Sequence, residues 1–149
     1  MSLSPPAHHD AELILKLYDL RRESMMRKAR AYYAGLAPSL DAFLAVVANP
    51  TSKENSYVRQ VSSYWEMVAS LVVHGTLNSR LVYDTCPEMY FVYAKIEPYL
   101  AALRVKTGTP DFLANLQKVV EGSVEGKERL ARLQSRIAKV AKARAEAVG

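Results

Sequence analysis

The segment from Tyr57 to Arg104 places its apolar side chains at the spacing of an α-helix, and this pattern constrains the fold more than any other feature. Helices that each expose an apolar face become stable when they pack on one another, so the segment predicts an all-α fold. In its first half the residues at this spacing are Val58, Val61, Trp65, Val68, Leu71 and Val72. In its second half they are Met89, Tyr90, Tyr93, Ile96, Leu100 and Leu103.

Glycine and proline residues divide the rest of the chain into further helical stretches. The first predicted helix covers residues 10–34 and ends at Gly35, and a break at 122–126 precedes the last helix. No hairpin turn flanked by alternating residues is found. We therefore expect a single helical bundle of five to seven helices. Its parts are a disordered N-terminal lead at residues 1–9, a helical core domain at 10–126 and a basic C-terminal helix at 127–149 that packs on the core or on a partner.

The net charge of +5 is concentrated at the C-terminal end of the chain. Residues 1–50 carry six basic and five acidic groups, and residues 51–126 carry seven and eight, so these parts have net charges of +1 and −1. Residues 127–149 carry seven basic and two acidic groups, which gives +5. Six of these cations form what we call the basic tail: Arg129, Arg132, Arg136, Lys139, Lys142 and Arg144.

The basic tail is compatible with two uses. Leu130, Leu133, Ile137 and Val140 form an apolar stripe along the same helix, so the cations lie on its solvent side, their usual place. This arrangement favours a packing or dimerisation helix. Binding of a nucleic acid or an anionic surface is the alternative, but no aromatic residues are interleaved with the cations for base stacking.

The cysteine content and the hydropathy of the chain indicate where in the cell the protein is expected. The single cysteine, Cys86, excludes an intrachain disulfide, which fits a reducing compartment. No apolar run approaches the roughly 18 residues that a membrane-spanning helix needs. We expect a cytoplasmic protein with no membrane span.

The sequence contains no pattern that is typical of a cofactor, metal or catalytic site. Its three histidines do not occur in a Glu-x-x-His or His-Glu-x-x-His motif, and its glycines form no phosphate-binding loop. Cys86 lies at a predicted helix start, where a helix dipole lowers a thiol pKa, but a packed, inert cysteine is the simpler interpretation. We predict no cofactor, no metal and no catalytic residue, and whether the chain is an enzyme stays open.

Aromatic residues give a set of interface or pocket candidates. The run Met89–Tyr93 is too uniformly apolar for all of it to face one core, so another helix or a second copy of the chain is expected to cover part of it. Tyrosine, with an apolar body and a polar tip, suits a pocket or an interface as well as a core. The candidates are Trp65, His74, Tyr83, Tyr90 and Tyr93.

The central block resembles a bacterial family of all-helical proteins of unknown function. The resemblance is carried by an aromatic-x-Glu at residues 64–66, by His74-Gly75 with the Leu81-Val82 helix, and by Pro98-Tyr99-Leu100 before Arg104, within about residues 57–120. It implies no activity. It draws attention to Glu66 and Arg104, charged residues on apolar helices, which are rare unless they are paired. One hypothesis is a structural ion pair between the two, and the alternative is that each points to water.

Three functions follow as expectations. The first is a non-enzymatic interaction module that self-associates, with a homodimer as the expected form. The second is nucleic-acid or anionic-surface binding through the basic tail. The weakest is a small-ligand binder or enzyme with a tyrosine-lined pocket near His74.

Overall fold

The protein, for which we describe a computed structural model over residues 4–149, is all-helical. No strand occurs within that range, which confirms the predicted fold class, although there are eight helices and not five to seven. The helices are α1 His8–Arg21, α2 Ser24–Gly35, α3 Leu40–Val47, α4 Lys53–Val73, α5 Ser79–Thr85, α6 Pro87–Thr107, α7 Ala114–Glu121 and α8 Val124–Val148.

Helix α6 is the centre of the structure. Its residues 92–96 are all buried although they point in every direction around the helix axis. Helices α3, α4, α7 and α8 pack around it, and α4 also packs on α2 and α7. The sequence predicted that another helix or a second copy covers part of Met89–Tyr93. Helices of the same chain cover this run.

The eighth helix arises from a break at residues 22–23 that the sequence analysis did not foresee. Glu23 has an extended backbone, and its carboxylate accepts a hydrogen bond from the Met26 N–H at 3.0 Å, so it caps α2. The helical spacing of apolar residues continues across this point, and neither glycine nor proline marks it. Glutamate is also not a usual N-cap residue. The predicted single helix over residues 10–34 was wrong for these reasons.

The last helix begins earlier than predicted. Ser123 caps α8 by accepting a hydrogen bond from the Gly126 N–H at 3.0 Å, so the break is confined to the residues just before Val124. Gly126 lies inside the first turn and is buried. A Cβ atom there would come within 2.1 Å of the Val120 carbonyl oxygen, so glycine allows α8 to approach the end of α7 closely.

The N-terminal end of α1 is tied to α5. Asp10 is the third residue of α1, and its carboxylate accepts from the Ala7 N–H at 2.7 Å and the Asn78 N–H at 2.8 Å. The side-chain amide of Asn78 donates to the Ser4 carbonyl at 2.8 Å. Of the lead predicted at residues 1–9, residues 1–3 lie outside the described range.

Replacing Gly126 by alanine is expected to lower the free energy of unfolding by about 1–3 kcal/mol, the usual cost of forcing extra atoms into a packed site. The matched control is Gly35→Ala, because Gly35 is the last residue of α2 and a Cβ there meets nothing within 4 Å. That control should be neutral or slightly stabilising. Urea unfolding followed by circular dichroism measures both, and equal midpoints would contradict the close approach.

Candidate functional site

A groove of about 670 Å³ runs between α8 and the rest of the bundle. One wall is formed by residues 34–38 at the end of α2 and by Pro87, Glu88, Phe91 and Lys95 of α6. The opposite wall is formed by residues of α8 between 133 and 144. They are Leu133, Arg136, Ile137, Val140, Ala141 and Arg144. The walls are mostly apolar, with few charged groups among them, which is the usual composition of a small-molecule site.

Lys95 is the buried charged group of this groove. Its side chain is 3% exposed, and its Nζ donates to the carbonyl oxygens of Tyr33 at 2.7 Å and Ala34 at 2.9 Å. The Nζ also lies 5.8 Å from the centre of the Phe91 ring. Burial, with a smaller contribution from the charge of Arg144, lowers the pKa of Lys95 to about 8. The amine therefore caps the end of α2 and titrates near neutral pH.

The groove carries more positive than negative charge. Lys95, Arg136 and Arg144 line it together with a single carboxylate, that of Glu88. Within residues 4–149, neither Arg136 nor Arg144 has a carboxylate within 4 Å. Arg144 lies four residues after Val140 and so on the apolar side of α8, where it faces the same groove as Lys95.

Glu88 does not neutralise these cations, because arginines of α1 and α2 occupy its carboxylate. The Arg30 Nε donates to both oxygens at 2.8 and 2.9 Å, and an Arg21 nitrogen lies 3.7 Å away. The Trp65 indole N–H also points at Glu88, at 3.4 Å. This cluster raises the pKa of Arg30, first through its hydrogen bonds to Glu88, and it joins α6 to α1, α2 and α4.

The aromatic candidates are placed in packing positions. Trp65, Tyr90 and Tyr93 are almost fully buried, and the Tyr93 hydroxyl donates to Glu121 at 2.7 Å. His74 is exposed at the end of α4. None of these residues lines the groove, so the cavity lies elsewhere than the tyrosine-lined pocket expected near His74.

Tyr83 and Tyr90 are brought together with one member of the basic tail. The guanidinium of Arg129 lies 3.5 Å from the centre of the Tyr83 ring and 4.8 Å from that of Tyr90, and it donates to the Tyr83 carbonyl at 2.7 Å. These are cation–π and hydrogen-bond contacts that fix the start of α8 to α5 and α6. Arg129 is therefore a packing residue and not a free cation.

The rest of the basic tail is exposed and divides between two faces of α8. Arg136 and Arg144 line the groove, whereas Arg132, Lys139 and Lys142 line no part of it. Lys142 has only a weak contact with Glu146 at 4.0 Å. Binding of nucleic acid by these exposed cations stays a prediction.

Glu66 and Arg104 both bind backbone groups in or next to the connection between α6 and α7, and they do not pair with each other. The Glu66 carboxylate accepts from the backbone N–H groups of Asn115 at 3.0 Å and Leu116 at 2.9 Å, at the start of α7. The Arg104 guanidinium donates twice to the Phe112 carbonyl, at 2.9 and 2.7 Å. No ion pair joins the two within residues 4–149, and neither simply points to water, so both sequence hypotheses were wrong.

The turn between these two contacts contains Leu113 in a left-handed backbone conformation, with φ of 58°. Such a conformation costs a residue with a Cβ on the order of 1–2 kcal/mol. Leu113 is 2% exposed, so its buried side chain and the two charged contacts together keep the strained backbone in place. Glu66 acts as an N-cap supplied by another helix, where a negative charge also suits the helix dipole.

Cys86 has the environment of a packed cysteine. It is buried, and burial raises the pKa of its thiol despite a hydrogen-bonding contact with the Thr85 hydroxyl. A raised pKa leaves little thiolate at neutral pH, and the thiolate is the reactive form. Over the described range, no three His, Cys, Asp or Glu side chains lie close enough together to hold a metal ion.

Lys95 is the residue of the site that the sequence reasoning missed. It interrupts the apolar run from Val92 to Ile96 at a position that faces the core. Like Glu66 and Arg104, Lys95 is a charged residue on an apolar helix. That signal was present in the sequence and was not used.

Comparison with known proteins gives a family for the chain. A family model described as a domain of unknown function, DUF4760, matches residues 6–123. The chain belongs to this family. The match confirms the expected membership of an uncharacterised family and extends well beyond residues 57–120. It ends just before Val124, so α8 and one wall of the groove lie outside the matched region.

Two further comparisons are without a result. No curated protein and no solved structure gives a significant match to the chain. Within the described part of the chain, no helix combines the length and apolarity required to cross a membrane.

Reversing the charges of both Glu66 and Arg104 is expected to give no rescue. Each single reversal should lower the free energy of unfolding by about 1–3 kcal/mol, as expected for bonds to charged groups. The double variant should lose the sum, because arginine would then face backbone N–H groups and glutamate a carbonyl. Chemical denaturation measures the free energy of unfolding of the two single variants and the double variant. The control is Lys106→Glu, because Lys106 is exposed and lies on α6 with Arg104. A double variant more stable than either single variant would instead support an ion pair between Glu66 and Arg104.

Proposed function

We propose that this protein is a non-enzymatic binding module that holds a small, largely apolar ligand in the groove between α8 and the bundle. The observation that carries the proposal is the cavity of about 670 Å³ with apolar walls and a buried lysine in one of them. Small-molecule sites in proteins typically have volumes of roughly 300–1,000 Å³ and few polar groups. The buried thiol of Cys86 and its raised pKa support the non-enzymatic part. A cytoplasmic location belongs to the same proposal, supported by the single free cysteine.

Self-association is the second candidate. It is favoured by apolar residues that α8 leaves exposed, Val140 at 46% and Val148 at 90%. The apolar run Met89–Tyr93 does not require a second copy, since helices of the same chain cover these residues. Two copies of α8 facing each other would also bring many like charges together, which disfavours contact along the basic face.

The groove can be tested with N-phenyl-1-naphthylamine, a neutral apolar fluorophore whose emission rises when it leaves water. We expect saturable binding to the natural protein and at least tenfold weaker binding to Ala141→Trp, whose side chain would fill the groove. The matched control is Ala138→Trp, because Ala138 is exposed on the same helix and does not line the cavity. Identical titration curves for all three proteins would contradict the proposal, and melting curves check that each is folded.

The second candidate is tested separately by size-exclusion chromatography with light scattering. A homodimer has a mass of twice 16.6 kDa. If α8 is the contact, Val148→Asp should shift the equilibrium to the monomer. A mass of 16.6 kDa at all accessible concentrations would exclude self-association.

A further inference from the structure

We infer that the ligand of the groove is a long-chain carboxylate, a free fatty acid, with its head between Lys95 and Arg144 and its chain along Phe91, Ile137 and Val140. This inference rests on the proposed function and names the chemical class of the ligand. It follows from the charges of the groove, from the hydrogen-bond donors that are free to act, and from the apolar surface beside them.

The charge of the groove selects an anion. Three cations line the cavity, Lys95 on the α6 wall and Arg136 and Arg144 on the α8 wall. Of the two arginines, Arg144 is the one whose charge lowers the pKa of Lys95. The one carboxylate of the lining, Glu88, already has Arg30 and Arg21 as partners. Like charges on opposite walls repel each other, and an anion placed between them adds two attractive interactions that offset this repulsion.

The hydrogen-bond donors of Lys95 and Arg144 favour a carboxylate as the anion. A protonated lysine has three N–H donors, and Lys95 uses two of them on the carbonyls of Tyr33 and Ala34. One donor remains for a ligand. The guanidinium of Arg144 offers a planar fork that matches the two oxygens of a carboxylate. A phosphate monoester has three terminal oxygens and about two charges at neutral pH, which this set of donors satisfies less well.

The remaining walls select a hydrocarbon chain. Phe91 on α6 and Leu133, Ile137 and Val140 on α8 line the groove from its two sides. Val140 is 46% exposed, so an apolar chain lying along it would remove apolar surface from water. A second copy of α8 is a poorer occupant, because its cations would meet those of the groove.

Binding of a carboxylate should depend on pH through Lys95. The charged groups that face it are Arg136 and Arg144 from α8 and Glu88 from its own helix, and Tyr33 of α2 packs beside it. The pKa of Lys95 is about 8, and an anion favours the protonated amine. Affinity should therefore be fully present below about pH 8 and fall as the pH rises above it.

Isothermal titration with monomeric dodecanoate and with dodecanol, which has the same chain and no charge, tests the inference. At pH 7 the natural protein should bind dodecanoate at least tenfold more tightly than dodecanol. Lys95→Met and Arg144→Met should each weaken dodecanoate binding and so remove most of this preference. The matched control, Lys139→Met, removes an exposed cation of α8 that lines no part of the groove and should change neither affinity. Between pH 7 and 9.5 only dodecanoate should weaken, and this loss should be absent in Lys95→Met.

The outcomes separate the two proposals. Equal affinity for the acid and the alcohol overturns the carboxylate inference and leaves the binding module standing. Binding of neither ligand, together with no binding of the neutral fluorophore, overturns both. Two other outcomes would show non-specific attraction to the basic tail and would also overturn the inference. One is that dodecanoate binds only above its micelle concentration. The other is that Lys139→Met weakens dodecanoate binding as much as Arg144→Met does. Since Arg144 lies on the exposed part of α8, its variant keeps the test valid if Lys95→Met does not fold.

Discussion

The constraint on which the structure depends is the burial of α6 on all sides. A helix with one apolar face needs one neighbour, but a helix whose residues 92–96 are all buried must be surrounded. Helices α3, α4, α7 and α8 provide that cover, and their short connections follow from the need to bring them around one axis. Lys95 is inside because α6 has no solvent side at that level. The groove lies where the cover by α8 is incomplete.

Two charged side chains show how the bundle fixes its least regular segment. The connection between α6 and α7 begins with Gly108 and Pro110, which are usual turn residues, but it ends with Leu113 in a strained left-handed conformation. Glu66 binds the N–H groups that follow the turn, and Arg104 binds the carbonyl that precedes it. Each of these charges satisfies backbone groups that would otherwise be unpaired at a buried helix end, so their role is structural.

The sequence predicted the architecture better than the site, and the reasons are physical. Apolar spacing identified the helices of the central block, because packing in a core requires that spacing. The break at Glu23 was missed because capping by glutamate leaves the spacing intact. The partners of Glu66 and Arg104 were missed because they are backbone groups, which every residue carries and no pattern marks. The groove was missed because it needs Ala34 and Arg144, distant in sequence, to lie near each other.

The match to the family ends at residue 123, and α8 begins at Val124. One wall of the groove is thus made of residues inside the matched region, and the opposite wall is made of α8 residues beyond it. Gly126 and Leu130 near the start of α8 are buried against the bundle, whereas Arg136, Val140 and Arg144 are exposed. Substitutions at these three exposed positions would therefore reshape one wall of the groove without reaching the core.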